Sequence, residues 1–300
     1  MLALEEMQFE LLPSADATSG VGFGIGLDVS VDDAGFDPGS LDWLTQDSDN
    51  PTNGVTGFGR DVATGPTWTW SLHVNEDDTA SGLAALRVLR AAWRARQIAG
   101  TPGAVTAVRY RVGDRVRRVY GRPRNFAAPP DNRLISGLVP ITSSFKCADD
   151  RVYDDVESMI SLGASDTSTV GSFVFPVKFP TSTLSQKVQR QQAVVDGDAP
   201  TYPVIRIQGP VTNPIIETDT WTLPLDLSLG PTESVVIDTR PWNLSVRRND
   251  GASMVDALPR RQRFADLVLT PGNHDIEFRA SSTSSSTSCA VAWRSAYDSI

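Results

Sequence analysis

Catalysis or metal binding in this chain would have to be assembled from few parts. Only two histidines, His73 and His274, and two cysteines, Cys147 and Cys289, occur among 300 residues. A nucleophile–base–acid triad needs a histidine oriented by a carboxylate beside a hydroxyl or thiol. Asp275 follows His274, but adjacent residues of a strand point to opposite faces. No Cys-x-x-Cys, His-x-His or His-Glu-x-x-His spacing is present to gather zinc ligands. Asp47-Ser48-Asp49-Asn50 has the opening of a calcium loop, yet Pro51 falls where that pattern needs a ligand followed by glycine. Asp149, Asp150, Asp154 and Asp155 form a charge run that reads as a solvated connection. A glycosidase pair is defined by separation in space, and no pair stands out in the sequence. The expectation is therefore a chain with no catalytic residue, no metal site and no cofactor.

Two patterns do carry information. Gly20, Gly22, Gly24 and Gly26 alternate with Val21, Phe23 and Ile25 at the period of a strand. A phosphate-binding Gly-x-Gly-x-x-Gly starting at Gly20 would need glycine where Ile25 stands, and no helix pattern follows. Glycine in a strand instead marks close approach of another backbone, so these four residues are expected to form a close-packed strand. The second pattern is basic: Arg109, Arg111, Arg115, Arg117, Arg118, Arg122 and Arg124 fall within 16 residues. Residues 104–124 read as a β-hairpin turning at Gly113-Asp114. A three-residue loop would set Val112 opposite Val116 and Arg111 opposite Arg117. Opposed like charges are unfavourable, so the hairpin presents either a solvated face or an intersubunit contact with an acidic neighbour. On the second reading, Arg109, Arg111, Arg115, Arg117 and Arg118 are the contact residues. Reversing Arg109, Arg111 and Arg117 should then block assembly and leave the subunit folded.

The elements that must hold these patterns are mostly strands. Trp68, Trp70, Leu72 and Val74 alternate within 67–74. One helix is expected over 79–98, capped by Thr79 or Ser81, with Leu83, Leu86, Leu89 and Trp93 on one face and Arg87, Arg90 and Arg94 on another. Residues 32–66 are rich in Asp, Gly and Asn and read as an acidic loop. Phe173, Phe175, Val177 and Phe179 make one short strand in a thinly patterned stretch, 156–200, where a domain boundary falls. From 202 to 297, short strands recur every 8–12 residues, as in a β-sandwich. There Ile205, Ile207, Leu225, Leu227, Val236, Leu267, Ile276, Phe278, Val291 and Trp293 form the expected core.

Composition bounds the rest. Hydrophobic content of 40% and charged content of 21% are those of a globular chain. The net charge of -9 disfavours a general nucleic-acid binder. Only three positive charges are lysines (Lys146, Lys178, Lys187), the others being arginine, which suits bidentate pairing with carboxylates. The N-terminus carries Glu5, Glu6 and Glu10 and no base, unlike a signal peptide. Synthesis in a cytoplasm, with both cysteines as unpaired buried thiols, is the expectation.

The last third resembles a known family. YPVIRIQGPVTNPIIE (202–217), WTLPLDLSLGPTESVVIDT (221–239), WNLSVRRNDG (242–251), FADLVLTPGNHDIEFRA (264–280) and CAVAWRSAY (289–297) occur in this order. The succession resembles the C-terminal domain of siphophage distal tail proteins, which are minor tail proteins of the virion. The resemblance implies a mainly β chain with one long helix: a ring-forming N-terminal domain over 1–160 and a galectin-like β-sandwich over 161–300. It implies a hexameric ring that joins the tail tube to tail-tip or baseplate proteins. DNA would pass through the central channel without specific binding. The implied partners are further copies of itself, the tail tube protein, the tape measure protein and tail-tip proteins, with no membrane. Two other classes stay open. One is a carbohydrate-binding virion or cell-surface module using Trp221, Trp242 or Trp293. The other is a cell-wall glycoside hydrolase.

Overall fold

The computed structural model describes residues 2–50, 52, 54–129, 137–163, 165–166 and 190–300. The strand expected over Phe173–Phe179 lies outside them. The chain divides into two compact units. Unit 1 is Met1–Asp155 with Tyr297–Ile300, and unit 2 is Val156–Ala296. The sequence placed the division at 160/161. The strand Ser158–Gly163 explains the difference, because it pairs with Ser288–Trp293 of unit 2. Among the described residues no helix is long and apolar enough to cross a membrane.

Unit 1 is built on an antiparallel sheet whose strands follow the order Val21–Gly24, Gln8–Leu11, Thr106–Arg111, Val116–Ala127, Leu138–Cys147, Thr67–Asn75, Val29–Asp37. Alternation decides its buried face. Trp68, Trp70, Leu72 and Val74 all point into the core, with Phe9, Phe23, Tyr110 and Phe145. Phe9 stacks on Phe23 at 5.4 Å between centroids, and Trp70 meets Trp93 edge-on at 5.7 Å. Each such buried aromatic contributes roughly 2–3 kcal/mol by the apolar area it removes from water.

Trp93 belongs to α1 (Thr79–Trp93), which lays Gly82, Leu86, Leu89 and Trp93 on the sheet. Asp78 caps the helix by accepting from the backbone amides of Ala80 and Ser81, in place of the expected Thr79 or Ser81. The expected helix over 79–98 is also interrupted. Ala95 adopts φ 41°, in the left-handed region, and α2 (Arg96–Ala99) restarts after it. No glycine announces this break, so the periodicity reads straight through it.

The acidic stretch 32–66 is not a loop. Val29–Asp37 continues into it. Asp42–Leu44 then pairs with Val62–Thr64, and Ser48–Asn50 pairs with Val55–Gly57. Three-residue strands are too short to show a period, which is why composition alone misread them.

Unit 2 is a sandwich of two five-stranded sheets. One has the order Ser158–Gly163, Ser288–Trp293, Val204–Gln208, Ser234–Asp238, Ser245–Arg248. The other centres on Gly272–Ala280. Nine of the ten expected core residues are buried between the sheets. The exception is Val236. The register sets Ile205 against Ile237 and Ile207 against Val235, so Val235 and Ile237 point inward and Val236 outward. The run Ser-Val-Val-Ile-Asp offers two phases, and the strand adopts the one that buries Val235 and Ile237. Leu267 is buried as expected, but it follows a 3-10 turn, Phe264–Asp266, where a strand was expected.

The phase assignment is testable. Ile207→Asp buries an unpaired charge and is expected to cost several kcal/mol, about 3 or more. Val236→Asp, on the outer face, should change stability by less than ~1 kcal/mol. Denaturant melts of the two variants check this; equal losses would contradict the register.

Candidate functional site

The groups capable of chemistry are engaged within the fold. His274 is buried, with Nδ1 2.7 Å from Asp219 Oδ1 and Nε2 2.7 Å from the Thr270 carbonyl oxygen. Nε2 also lies 3.4 Å from the Thr270 hydroxyl, so both ring nitrogens are held by oxygens of the same chain, with the shorter contact of Nε2 made to the carbonyl. His73 lies 2.5 Å from Asp32 on an exposed stretch of strand. Cys147 and Cys289 are free and buried, and burial pushes both thiols up, that of Cys289 to about 12. Such thiols are poor nucleophiles. Among the described residues no group of three or more His, Cys, Asp or Glu side chains is placed to hold a metal. Asp47 accepts from the Gly59 amide at 3.1 Å, and Asp49 from the Thr56 hydroxyl at 2.8 Å, so both tie the 42–64 strands together.

The arginine hairpin is the electrostatic centre of unit 1. Its register sets Arg111 opposite Val116, Arg117 opposite Tyr110 and Arg118 opposite Arg109. The turn is one residue longer than expected, which moves every arginine by one partner. Arg109 and Arg118 therefore face each other, and both point inward. Asp155 lies between them. Its Oδ2 accepts from Arg109 Nη2 at 2.7 Å, and its Oδ1 from Arg118 Nη2 at 2.6 Å. Arg109 also pairs with Glu10, which in turn accepts from the Gly20 amide at 2.8 Å. The side chains of Arg118 and Glu10 are 1% and 2% exposed. Two cations and two anions make the set neutral, which a buried network requires. Burial alone would raise the Asp155 carboxyl; the bonded guanidiniums outweigh it and hold the group below its ordinary value.

This placement changes the expectation for five arginines. Arg109 and Arg118 are internal ties, and the carboxylate separating the like charges comes from the same chain. Arg111 donates to the Leu4 carbonyl. Arg117 sits 4.3 Å over the Tyr297 ring, and Arg115 donates to the Tyr297 hydroxyl at 3.3 Å. Only Arg111, Arg115 and Arg117 keep part of their surface toward solvent, so the contact reading narrows to them. A triple reversal that includes Arg109 would disturb the fold itself.

The acidic run is not simply solvated either. Asp155 closes the network, Asp154 accepts from the Tyr297 hydroxyl at 3.2 Å, and Asp149 accepts from the Tyr153 hydroxyl. Burial pushes the Asp149 carboxyl up to about 7, against the pull of that bond.

The glycine strand packs on its own neighbour. A Cβ at Gly20 would stand 2.2 Å from the Leu11 carbonyl oxygen, and one at Gly24, where φ is 133°, 2.4 Å from that of Met7. Close approach thus explains Gly20 and Gly24. A Cβ at Gly22 would meet the Leu2 side chain first, and Gly26 has open space and a turn conformation at φ 78°.

With this geometry in hand, the chain can be set beside known proteins. No sequence family and no curated protein matches it. Solved structures do. A chain of the phage P2 baseplate in its activated conformation with calcium is similar at a TM-score of 0.55 and 10% identity, over 95% of this chain and 97% of that one. The strontium form gives 0.54, also at 10% identity and over the same shares. The SPP1 Dit protein, described as a paradigm of the hub adsorption apparatus in phages infecting Gram-positive bacteria, gives 0.50 at 11% identity, over 86% and 89% of the two chains. The fold is that of phage baseplate and Dit hub proteins. At this identity the likeness concerns the fold, and both units take part in it.

The network predicts a pH-dependent defect. A folded-state carboxyl held below its unfolded value stabilises fully above that value, about 4 for aspartate, and loses the effect as pH falls through the folded value. Asp155→Asn leaves two buried cations facing one anion and is expected to cost ~3–5 kcal/mol at neutral pH. Its deficit against the parent should shrink as pH drops below about 4. Chemical denaturation of both proteins across pH measures this; a deficit that does not change with pH would contradict the assignment.

Proposed function

We propose that this chain is a structural subunit of a long-tailed phage tail tip. In this reading it forms a hexameric ring that joins the tail tube to tail-tip or baseplate proteins around a central channel for DNA. The observation that carries the reading is the near full-length correspondence with a baseplate chain, over 95% of this chain and 97% of that one, across two units of different construction. A match of one sandwich alone would say little, since sandwiches serve many functions.

The chemistry is consistent with assembly. The histidines, cysteines and inward arginines described above stabilise the fold. A net charge of -9 suits a conduit past which DNA slides without adhering. The partners on this reading are other copies of the chain, the tail tube protein, the tape measure protein and tail-tip proteins. The exposed edge of the hairpin, Arg111, Arg115 and Arg117, is one candidate contact with them. The carbohydrate-binding alternative loses two of its three platforms. Trp221 and Trp293 belong to the sandwich core, and Trp221 donates its indole N–H to the Val268 carbonyl at 2.8 Å.

Native mass spectrometry of the purified chain, with negative-stain imaging, tests the ring. The expected result is a six-chain species seen as a closed ring with a central opening. A single-chain species at every concentration would overturn the ring assignment.

A further inference from the structure

Residues 42–64 of unit 1 run out and back as a β-arm. The arm leaves Trp43 56% and Phe58 83% exposed, and Leu44, Val55 and Val62 are exposed as well. Leu44 stands opposite Val62 in the ladder, so part of this apolar surface is contiguous. Soluble chains rarely leave such a surface uncovered unless something binds it. The arm is also acidic. Asp42, Asp47, Asp49 and Asp61 accompany one base, Arg60. Asp42, Asp47 and Asp49 bond only to hydroxyls and a backbone amide, and among the described residues none of the four acids meets a cation.

The complementary surface lies on α1 and α2. Residues 79–99 contain Arg87, Arg90, Arg94 and Arg96 and no acid. All four are exposed, and among the described residues none has an ion-pair partner. At 100° per residue, Ala84, Val88 and Ala91 form an apolar stripe beside Arg87, Arg94 and Arg90. Val88 is exposed, and on its other side, away from the arginines, the stripe borders a groove of about 660 Å³ whose lining joins Leu2, Val21, Leu27 and Val29 with the acids Asp28 and Glu76, so only the arginine side of the stripe suits the arm's aspartates.

We propose that the β-arm of one copy docks on the α1 face of the next copy, seating Leu44, Val62 and Phe58 against Val88 and the groove and pairing the arm aspartates with Arg87, Arg90 and Arg94. The inference rests on the ring reading and deepens it. The two surfaces differ, so the contact is heterologous, the type that closes into a ring or propagates as a filament. The charge pairing supplies register and a dependence on salt, while burial of the apolar residues supplies most of the affinity.

Two variants with one added cysteine each, Leu44→Cys and Val88→Cys, are mixed and treated with a short bis-maleimide. The native Cys147 and Cys289 are buried and stay unmodified. A covalent pair of chains is expected in the mixture. It should not form with either variant alone, or when Val156→Cys of unit 2 replaces Val88→Cys. Arg87→Glu/Arg90→Glu/Arg94→Glu in the Val88→Cys chain should abolish the cross-link while circular dichroism shows the chain still folded, because these side chains are exposed. Pairing that triple variant with Asp42→Arg/Asp61→Arg in the Leu44→Cys chain should restore it. Rings in the parent without the specific cross-link, or rings unaffected by the triple reversal, would overturn the docking and leave the ring reading standing. A parent that stays a single chain and never cross-links would overturn both.

Discussion

Unit 1 depends on one partly buried carboxylate held between two buried arginines. Arg109 and Arg118 occupy directly opposed positions of a hairpin, an arrangement that repels on its own. Asp155 removes the repulsion by bonding both, and Glu10 brings the set to neutrality. The consequence is a hairpin buried on both faces. Val108, Tyr110 and Val119 pack into the aromatic core while Arg109 and Arg118 face the ionic cluster. The cluster also fixes three separate stretches of chain: the strand bearing Glu10, the hairpin, and the last residue before the chain enters unit 2. A network of this kind contributes less net energy than an apolar core of equal volume, but it tolerates few other arrangements. That would suit the proposed role, in which the outer surfaces meet neighbours in a fixed geometry.

Most side chains capable of chemistry are committed to holding the fold. The surfaces left over are of an assembling kind: an acidic apolar arm, a basic helix face with an apolar stripe, and the solvent edge of the hairpin. Two complementary and different patches on one unit provide what a head-to-tail contact needs. The likeness to baseplate and Dit hub proteins holds at 10–11% identity, so the same fold is reached by largely different residues.

Much of this was legible in the sequence where a period ran long enough to be counted. Trp68, Trp70, Leu72 and Val74 declare their face because four alternations leave one phase. Val236 does not, because Val235 and Ile237 offer the opposite phase within a five-residue strand. The α1 face was legible from leucines three and four apart, but the left-handed turn at Ala95 was not, since alanine usually continues a helix. The arm was hidden by its three-residue strands and its composition of Asp, Gly and Asn. Arg109, Arg118 and Asp155 were assigned to the surface because charged residues are seldom fully buried unless paired. Only the one-residue difference in turn length reveals their pairing, and nothing local in the sequence states it.

The central claim, that the chain is built into a phage tail tip, is tested most directly by locating it in the particle. Gold-labelled antibodies raised against the purified chain, applied to phage particles released by cells that carry its gene, should decorate the end of the tail opposite the head. Label on the capsid or along the tail shaft, or virions that contain none of the chain, would contradict the account.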